Sequence, residues 1–239
     1  MSTKKLSVEQ LFDYETWTYT YLLWDPETRE AALVDPVKEQ VERDLQLLKE
    51  KGLQLKYILD THVHADHVTG AGDLRGRTGA QTVVGRPAGI GCADVLVEDE
   101  ETLELGTFQI QALATPGHTD ACTSFLVDGQ VFTGDSLFIR SCGRTDFQQG
   151  DPRKLYRSIT EKLFTLPEET LVYPGHDYRG FTVSTIGSEK QFNPRIGSGK
   201  TEEEFVSIMN SLNLPRPKRI DVAVPVNQQC GSLTVEAAA

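Results

Sequence analysis

A chain of 239 residues is long enough to bury a substantial core, as one large domain or two small ones. Its 38% hydrophobic and 25% charged content is that of an ordinary folded protein. A net charge of −11 argues against a general nucleic-acid or anionic-membrane surface, and no apolar run reaches the length of a membrane span. The start, Met1-Ser2-Thr3-Lys4-Lys5-Leu6, lacks the apolar core of a secretion signal, and Glu9, Asp13 and Glu15 are unlike an acid-poor transit peptide. Cys92, Cys122, Cys142 and Cys230 are scattered without a C-x-x-C pair, so all are expected as thiols in the cytoplasm or a comparable reducing interior.

In chain order, Thr18 to Trp24 and Ala31 to Val34 read as strands joined by the turn Asp25-Pro26-Glu27. Val41, Leu45 and Leu48 at helical spacing predict an amphipathic helix over Lys38 to Lys51, stopped by Gly52. Lys56 to Asp60 is a short buried strand, followed by a glycine-rich helix over Val68 to Arg77. Gly70, Gly72 and Gly76 miss the dinucleotide fingerprint by one residue, and no helix-opening turn supports it. Gln81 to Val84 is another strand, and Thr102 to Leu113 alternates around Gly106 as a half-buried hairpin. Ser124 to Val127 and Val131 to Thr133 flank the hairpin turn Asp128-Gly129. Asp151-Pro152 opens a helix with Leu155, Ile159 and Leu163 on one face, and Leu171 to Tyr173 is a last strand.

Beyond Gly180 the chain turns polar through Gly199, then gives a short helix over Thr201 to Leu212 and the proline-broken Leu214-Pro215-Arg216-Pro217. Gly197-Ser198-Gly199-Lys200-Thr201 resembles the tail of a phosphate loop, but Pro194 stands where its first glycine belongs and no strand leads in. Glu236-Ala237-Ala238-Ala239 is expected to fray. Strands, a helix, strands again and another helix predict two sheets packed together with helices outside.

The chemistry concentrates in Thr61-His62-Val63-His64-Ala65-Asp66-His67, on the loop leaving the strand that ends at Asp60. The chain has five histidines, and the other two, His118 and His176, each follow an apolar run and a Pro-Gly turn. Asp135 ends Val131-Phe132-Thr133-Gly134-Asp135 in the same manner. Imidazoles and carboxylates gathered at strand ends predict a metal site.

T-H-x-H-x-D-H followed by His118, Asp135 and His176 resembles the metallo-β-lactamase superfamily, whose αββα sandwich implies an α+β fold of two mixed sheets flanked by helices. The stretches from Ile139 to Gly150 and from Tyr173 to Thr185, with Asn193-Pro194-Arg195 and Val224-Pro225-Val226-Asn227, resemble the persulfide dioxygenases. The resemblance implies one metallo-β-lactamase-like domain over 1–239, with a short C-terminal extension from about 181 and no rhodanese domain. It also implies one iron(II) per chain, held by His62, His118 and Asp135, and oxidation of glutathione persulfide by O₂ and water to sulfite and glutathione. Two histidines and a carboxylate make the facial triad that leaves positions open on non-haem iron. A persulfide supplied by a separate sulfurtransferase of the rhodanese type, and a homodimer, are compatible with this reading.

His64, Asp66, His67 and His176 complete the set that hydrolytic relatives use for two zinc ions, so a thioesterase of the glyoxalase II type is the competing expectation. In the dioxygenase reading these four orient ligands and hold water. A catalytically silent metal-binding scaffold is the third reading, with nothing in the sequence favouring it. Arg144 is expected to meet a glutathione carboxylate, and Tyr178 and Arg179 to form part of the same wall. Cys142 is either a persulfide carrier or a small buried thiol beside the site. Arg153 and Arg157 are expected as helix-pairing surface charge.

Overall fold

The structure is a computed structural model describing residues 4–232. The expected fraying of Glu236 to Ala239 lies outside the described residues. The first sheet has strands in sequence order: β1 (Ser7–Asp13), β2 (Thr18–Trp24), β3 (Glu30–Val34), β4 (Gln54–Leu59), β5 (Gln81–Gly85) and β6 (Val95–Val97). Pairing is antiparallel from β1 to β3 and parallel from β3 to β6. The second sheet contains β7 (Thr102–Leu105), β8 (Phe108–Ala114), β9 (Thr123–Val127), β10 (Gln130–Gly134), β11 (Leu171–Pro174) and β12 (Ser184–Thr185). It is antiparallel except where β10 runs parallel to β11.

The four layers follow from the period-two alternation of strands that are buried on both faces. Tyr21, Leu23, Val34 and Leu59 point inward, meeting Ile110, Phe125 and Phe132 of the opposite sheet. Their neighbours Leu22, Leu33 and Ile58 point outward, onto Val41 and Leu48 of α1 (Val41–Lys51) and Leu74 of α2 (Ala71–Thr78). On the other side, Val131 and Val172 lie under Leu155 of α3 (Pro152–Arg157), Ile159, Leu163, and Phe205 and Met209 of α5 (Glu202–Asn210). Asp151 caps α3 as its position predicts, accepting from Arg153 N and Lys154 N. Arg153 and Arg157 pair with Glu202 across to α5, which accounts for both as surface charge.

The segment after 181 is more structured than a short polar extension. It holds β12, α4 (Ile186–Phe192), α5 and α6 (Ile220–Asn227), and Ile186, Ile196 and Phe205 enter the core of the second sheet. α6 carries Pro225 in its interior, which disguises it in the sequence. A larger correction concerns the cysteines. Cys92 and Cys230 form a disulfide across 138 residues of chain, with Cα atoms 6.1 Å apart; only Cys122 and Cys142 are free, and both are buried. Their separation gave no sign of the contact, which exists because the end of α6 returns to the segment after β5. Among the described residues no helix is long and apolar enough to cross a membrane.

Asp44, in the first turn of α1, is 1% exposed and has an unpartnered Oδ2. Burial raises its carboxyl from 3.8 to about 6, against the pull of Arg43 at 2.8 Å. A carboxyl raised on folding supports the fold below its unfolded pKa and withdraws that support as pH climbs through the folded value. Asp44→Asn should therefore raise the thermal midpoint at pH 7, by up to about 3 kcal/mol of stability, and leave it unchanged at pH 4. Paired melting curves at the two pH values check this.

Candidate metal centre

His62 to His67 follow β4, His118 follows β8, Asp135 follows β10 and His176 follows β11, so the expected residues collect at one end of the sandwich, joined there by Asp35 after β3, which the sequence did not single out. Two glycines permit the crowding. Gly134 has φ +48, and a Cβ there would lie 2.3 Å from Thr61 Oγ1. Gly117, with φ +139, lies so close to α3 that a Cβ would fall 2.3 Å from Leu155 N, and this turn delivers His118.

His62, His118 and Asp135 are all buried, and one ligand atom from each lies within 4.8 Å of the others. Hydrogen bonds fix which nitrogen is free. His118 Nδ1 donates to the Arg144 carbonyl at 2.7 Å, which leaves Nε2 as the lone-pair atom, 3.5 Å from Asp135 Oδ2. The Thr61 hydroxyl donates to Asp35 Oδ2 at 2.8 Å, so it can only accept from His62 Nδ1 at 3.0 Å, and His62 Nε2 is left free. Burial first, then the neighbouring imidazoles, hold His62 well below its ordinary pKa, in the neutral form a metal needs. Asp135 Oδ1 is buried with no hydrogen-bond partner. A buried carboxylate oxygen without a donor is unfavourable unless a cation meets it. Two imidazole nitrogens and this carboxylate fit a divalent transition metal.

The remaining expected residues sit alongside. His64 Nε2 meets Asp35 Oδ1 at 3.1 Å, while its Nδ1 is buried and unpartnered. Burial would lower this imidazole, but Asp35, aided by Asp66 and Asp60, outweighs burial and raises it to about 10. Burial would raise Asp66, yet His67 and His176 hold it well below the usual carboxylate range. Asp66 Oδ2 binds His67 Nδ1 at 2.9 Å, leaving His67 Nε2 buried without a partner. His176 donates Nδ1–H to Trp17 O at 2.9 Å and places Nε2 3.6 Å from both Asp66 and Asp135.

Beside the triad opens a cavity of about 450 Å³, lined by His118, Asp135, His176, Cys142, Arg144, Tyr178, Arg195, Leu214 and Pro215 among others. Arg144 reaches the wall, but its guanidinium is already committed. It forms a two-point pair with Asp146, at 2.6 and 2.8 Å, and donates to Pro215 O at 2.7 Å. Tyr178 stands over the opening, 62% exposed and stacked on His176 at 5.9 Å. Arg179 is not among the lining residues: it donates to Ile139 O at 2.7 Å and lies over Phe181. Cys142 lines the cavity with a buried thiol 3.7 Å from Met209 Sδ, which burial pushes up to about 11. Arg195, named in the sequence only within the family-like stretch Asn193-Pro194-Arg195 and given no role there, is a further cation of the wall. Asn193 Oδ1 accepts from its backbone N–H, and its Nη1 donates to Cys142 O at 2.6 Å. The Asn-Pro turn before it was the one available signal.

The metallo-beta-lactamase superfamily profile matches residues 18–90 and 93–176. The human and mouse proteins named persulfide dioxygenase ETHE1, mitochondrial, are 51% and 50% identical over 230 residues, covering 95% of this chain and 89% of theirs. The chain belongs to the persulfide dioxygenase family of that superfamily. Among solved structures, ETHE1 from Myxococcus xanthus superposes with a TM-score of 0.92 at 55% identity, covering 95% of this chain and 100% of that one. Thioesterase-type relatives stand further from this family member. A Schizosaccharomyces pombe protein named probable hydroxyacylglutathione hydrolase is 36% identical over 210 residues, 74% of this chain and 81% of its own.

The hydroxyl of Thr61 is the only link between Asp35 and His62 described above. Thr61→Val should weaken metal binding about 10–100-fold, while Thr61→Ser should retain it. Competition with a chelator of known affinity reads the difference.

Proposed function

We propose that this protein is a non-haem iron(II) dioxygenase that converts glutathione persulfide, O₂ and water into sulfite and glutathione. The observation that carries the reading is 50–55% identity to persulfide dioxygenases across 95% of the chain. The local geometry supports it: His62, His118 and Asp135 bring two imidazole nitrogens and one carboxylate together beside an open cavity. When bound there, iron(II) supplies the one-electron chemistry that lets O₂ react with a sulfur anion.

The protein's own groups prepare that encounter. Arg144 O and Thr61 Oγ1 orient the two imidazoles. Arg195 supplies positive charge in the cavity wall, suited to a persulfide anion or a glutathione carboxylate. Arg144 braces the wall from behind through Asp146 and Pro215, and Tyr178 bounds the opening. His64, Asp66, His67 and His176 orient the ligands and hold water between them. Cys142 packs rather than carries sulfur, since its raised pKa disfavours the reactive thiolate. We place the work in the cytoplasm, where a separate rhodanese-type sulfurtransferase would provide persulfide.

One specific observation favours a second reading, a dinuclear zinc thioesterase. The buried, unpartnered His64 Nδ1 and His67 Nε2 are atoms that a second metal could use. Metal analysis of anaerobically purified protein, with O₂ uptake on glutathione persulfide, decides between them. The dioxygenase reading expects about one iron per chain and persulfide-dependent uptake; about two zinc per chain with thioester cleavage and no uptake would overturn it.

Two variants test the wall. Arg144→Lys should raise KM for the persulfide by about tenfold with metal content unchanged, because lysine cannot make the two-point brace. Parallel loss of iron and activity would make Arg144 structural instead. Cys142→Ser should keep near-full turnover in the same assay.

A further inference from the structure

We infer that the Cys92–Cys230 disulfide is a thiol-reducible lock that holds the metal loop in place through Asn227. Asn227, the last residue of α6, is 3% exposed and uses its whole side-chain amide on that loop. Nδ2 donates to His64 O and His67 O, both at 2.9 Å, and Oδ1 accepts from Thr69 N at 2.9 Å. These three bonds span the backbone from His64 to Thr69, which carries His64, Asp66 and His67 and follows directly on His62. Only a carboxamide combines two donors with an acceptor in this arrangement. Asn227 is therefore a positioning residue for the metal set, without touching the metal ligands' side chains.

α6 is poorly equipped to hold that residue unaided. It is eight residues long with Pro225 inside it, and short helices depend on packing for their stability. Its apolar contacts with the loop are two small groups, Val68 with Ala223 and Val226, and Val63 in one cluster with Val224 and Cys230 itself. The disulfide sits three residues beyond Asn227 and ties the end of α6 to the segment after β5. Lys38 Nζ adds one bond to Gly231 O at 2.9 Å. One glycine of the pattern that matched no nucleotide fingerprint, Gly72, has its explanation here. A Cβ on Gly72 would lie 2.6 Å from Cys230 O, so α2 must be bare at that point for the C-terminal segment to lie against it.

The lock is reachable. A cavity of about 540 Å³ has both Cys92 and Cys230 in its wall, together with residues of α2. Its reactant is a low-molecular-weight thiol, of which glutathione is one. A thiolate attacks the sulfur of Cys92, the S–S bond breaks, and Cys230 leaves as thiolate and takes a proton. A second thiol then displaces Cys92 from the mixed disulfide. Two thiols are oxidised to their disulfide, and the protein gains two electrons and two protons. The pair is oxidised in this structure, and reduction frees α6 to lift Asn227 off the loop. The inference holds whichever metal chemistry the site performs, because it concerns the loop itself.

Hydrogen exchange of residues 62–69, in the oxidised and the dithiothreitol-reduced protein, tests it with and without metal. Reduction should speed exchange in this loop selectively, and should accelerate metal release to a chelator about tenfold. Cys92→Ser should match the reduced wild type in both readouts, and Asn227→Asp should show fast exchange even when oxidised. Unchanged loop exchange on reduction would overturn the lock. So would a uniform rise across both sheets with a falling Tm, which would mark the disulfide as a general staple. Should Cys92→Ser fail to fold, reduction of the folded wild-type protein still decides.

Discussion

A carboxylate removed from water must be met by donors, and the groups that meet it are thereby fixed. Asp35 is 1% exposed at the end of β3 and receives Thr61 N at 2.7 Å, Thr61 Oγ1 at 2.8 Å and His64 Nε2 at 3.1 Å. Its backbone N–H donates to Leu59 O at 2.9 Å, and its carbonyl accepts from Thr20 Oγ1 at 2.8 Å. One residue thus joins β2, β3 and the exit of β4, and through Thr61 reaches His62. The first histidine of the motif is oriented before any metal arrives.

The same end of the sandwich sorts chemically identical side chains by environment. Burial and the surrounding imidazoles pull His62 toward the neutral form, whereas Asp35 pulls the pKa of His64 the other way. His118 and His176 each donate Nδ1–H to a backbone carbonyl, which turns Nε2 toward Asp135. None of these assignments follows from residue type. Each is set by which acceptor the fold brings to the back of the ring.

That division marks what the sequence could and could not reveal. Strand-end histidines, the Asp128-Gly129 hairpin and the Asp151 cap are local signals, and each strand or cap appears near its expected place. β1 was missed because its residues are only half-buried, and α6 because Pro225 interrupts its pattern. The Cys92–Cys230 contact spans most of the fold, and nothing near either cysteine encodes it. Arg144 and Arg179 were legible as cations near a site, but whether a guanidinium faces the cavity or a nearby carboxylate or carbonyl is decided by packing.

The ligand set also does not choose the reaction. All seven metal-binding candidates are present, and the unpartnered nitrogens of His64 and His67 show that the positions of a dinuclear relative are retained. What differs among relatives of this fold must then lie around the ligands. Here the wall beside Asp135 comes from the 138–144 segment and from the C-terminal region, which contributes Arg195, Leu214, Pro215 and Pro217. Buried Glu189 holds that segment in register: it accepts from Arg140 N at 2.8 Å and Asn193 Nδ2 at 2.9 Å, and Asn193 donates in turn to Ser141 O at 3.0 Å. A cavity built this way presents fixed cations and apolar proline edges to its contents. Its shape and charge suit a small anionic compound, and the metal loop beside it is braced separately, by Asp35 and Asn227.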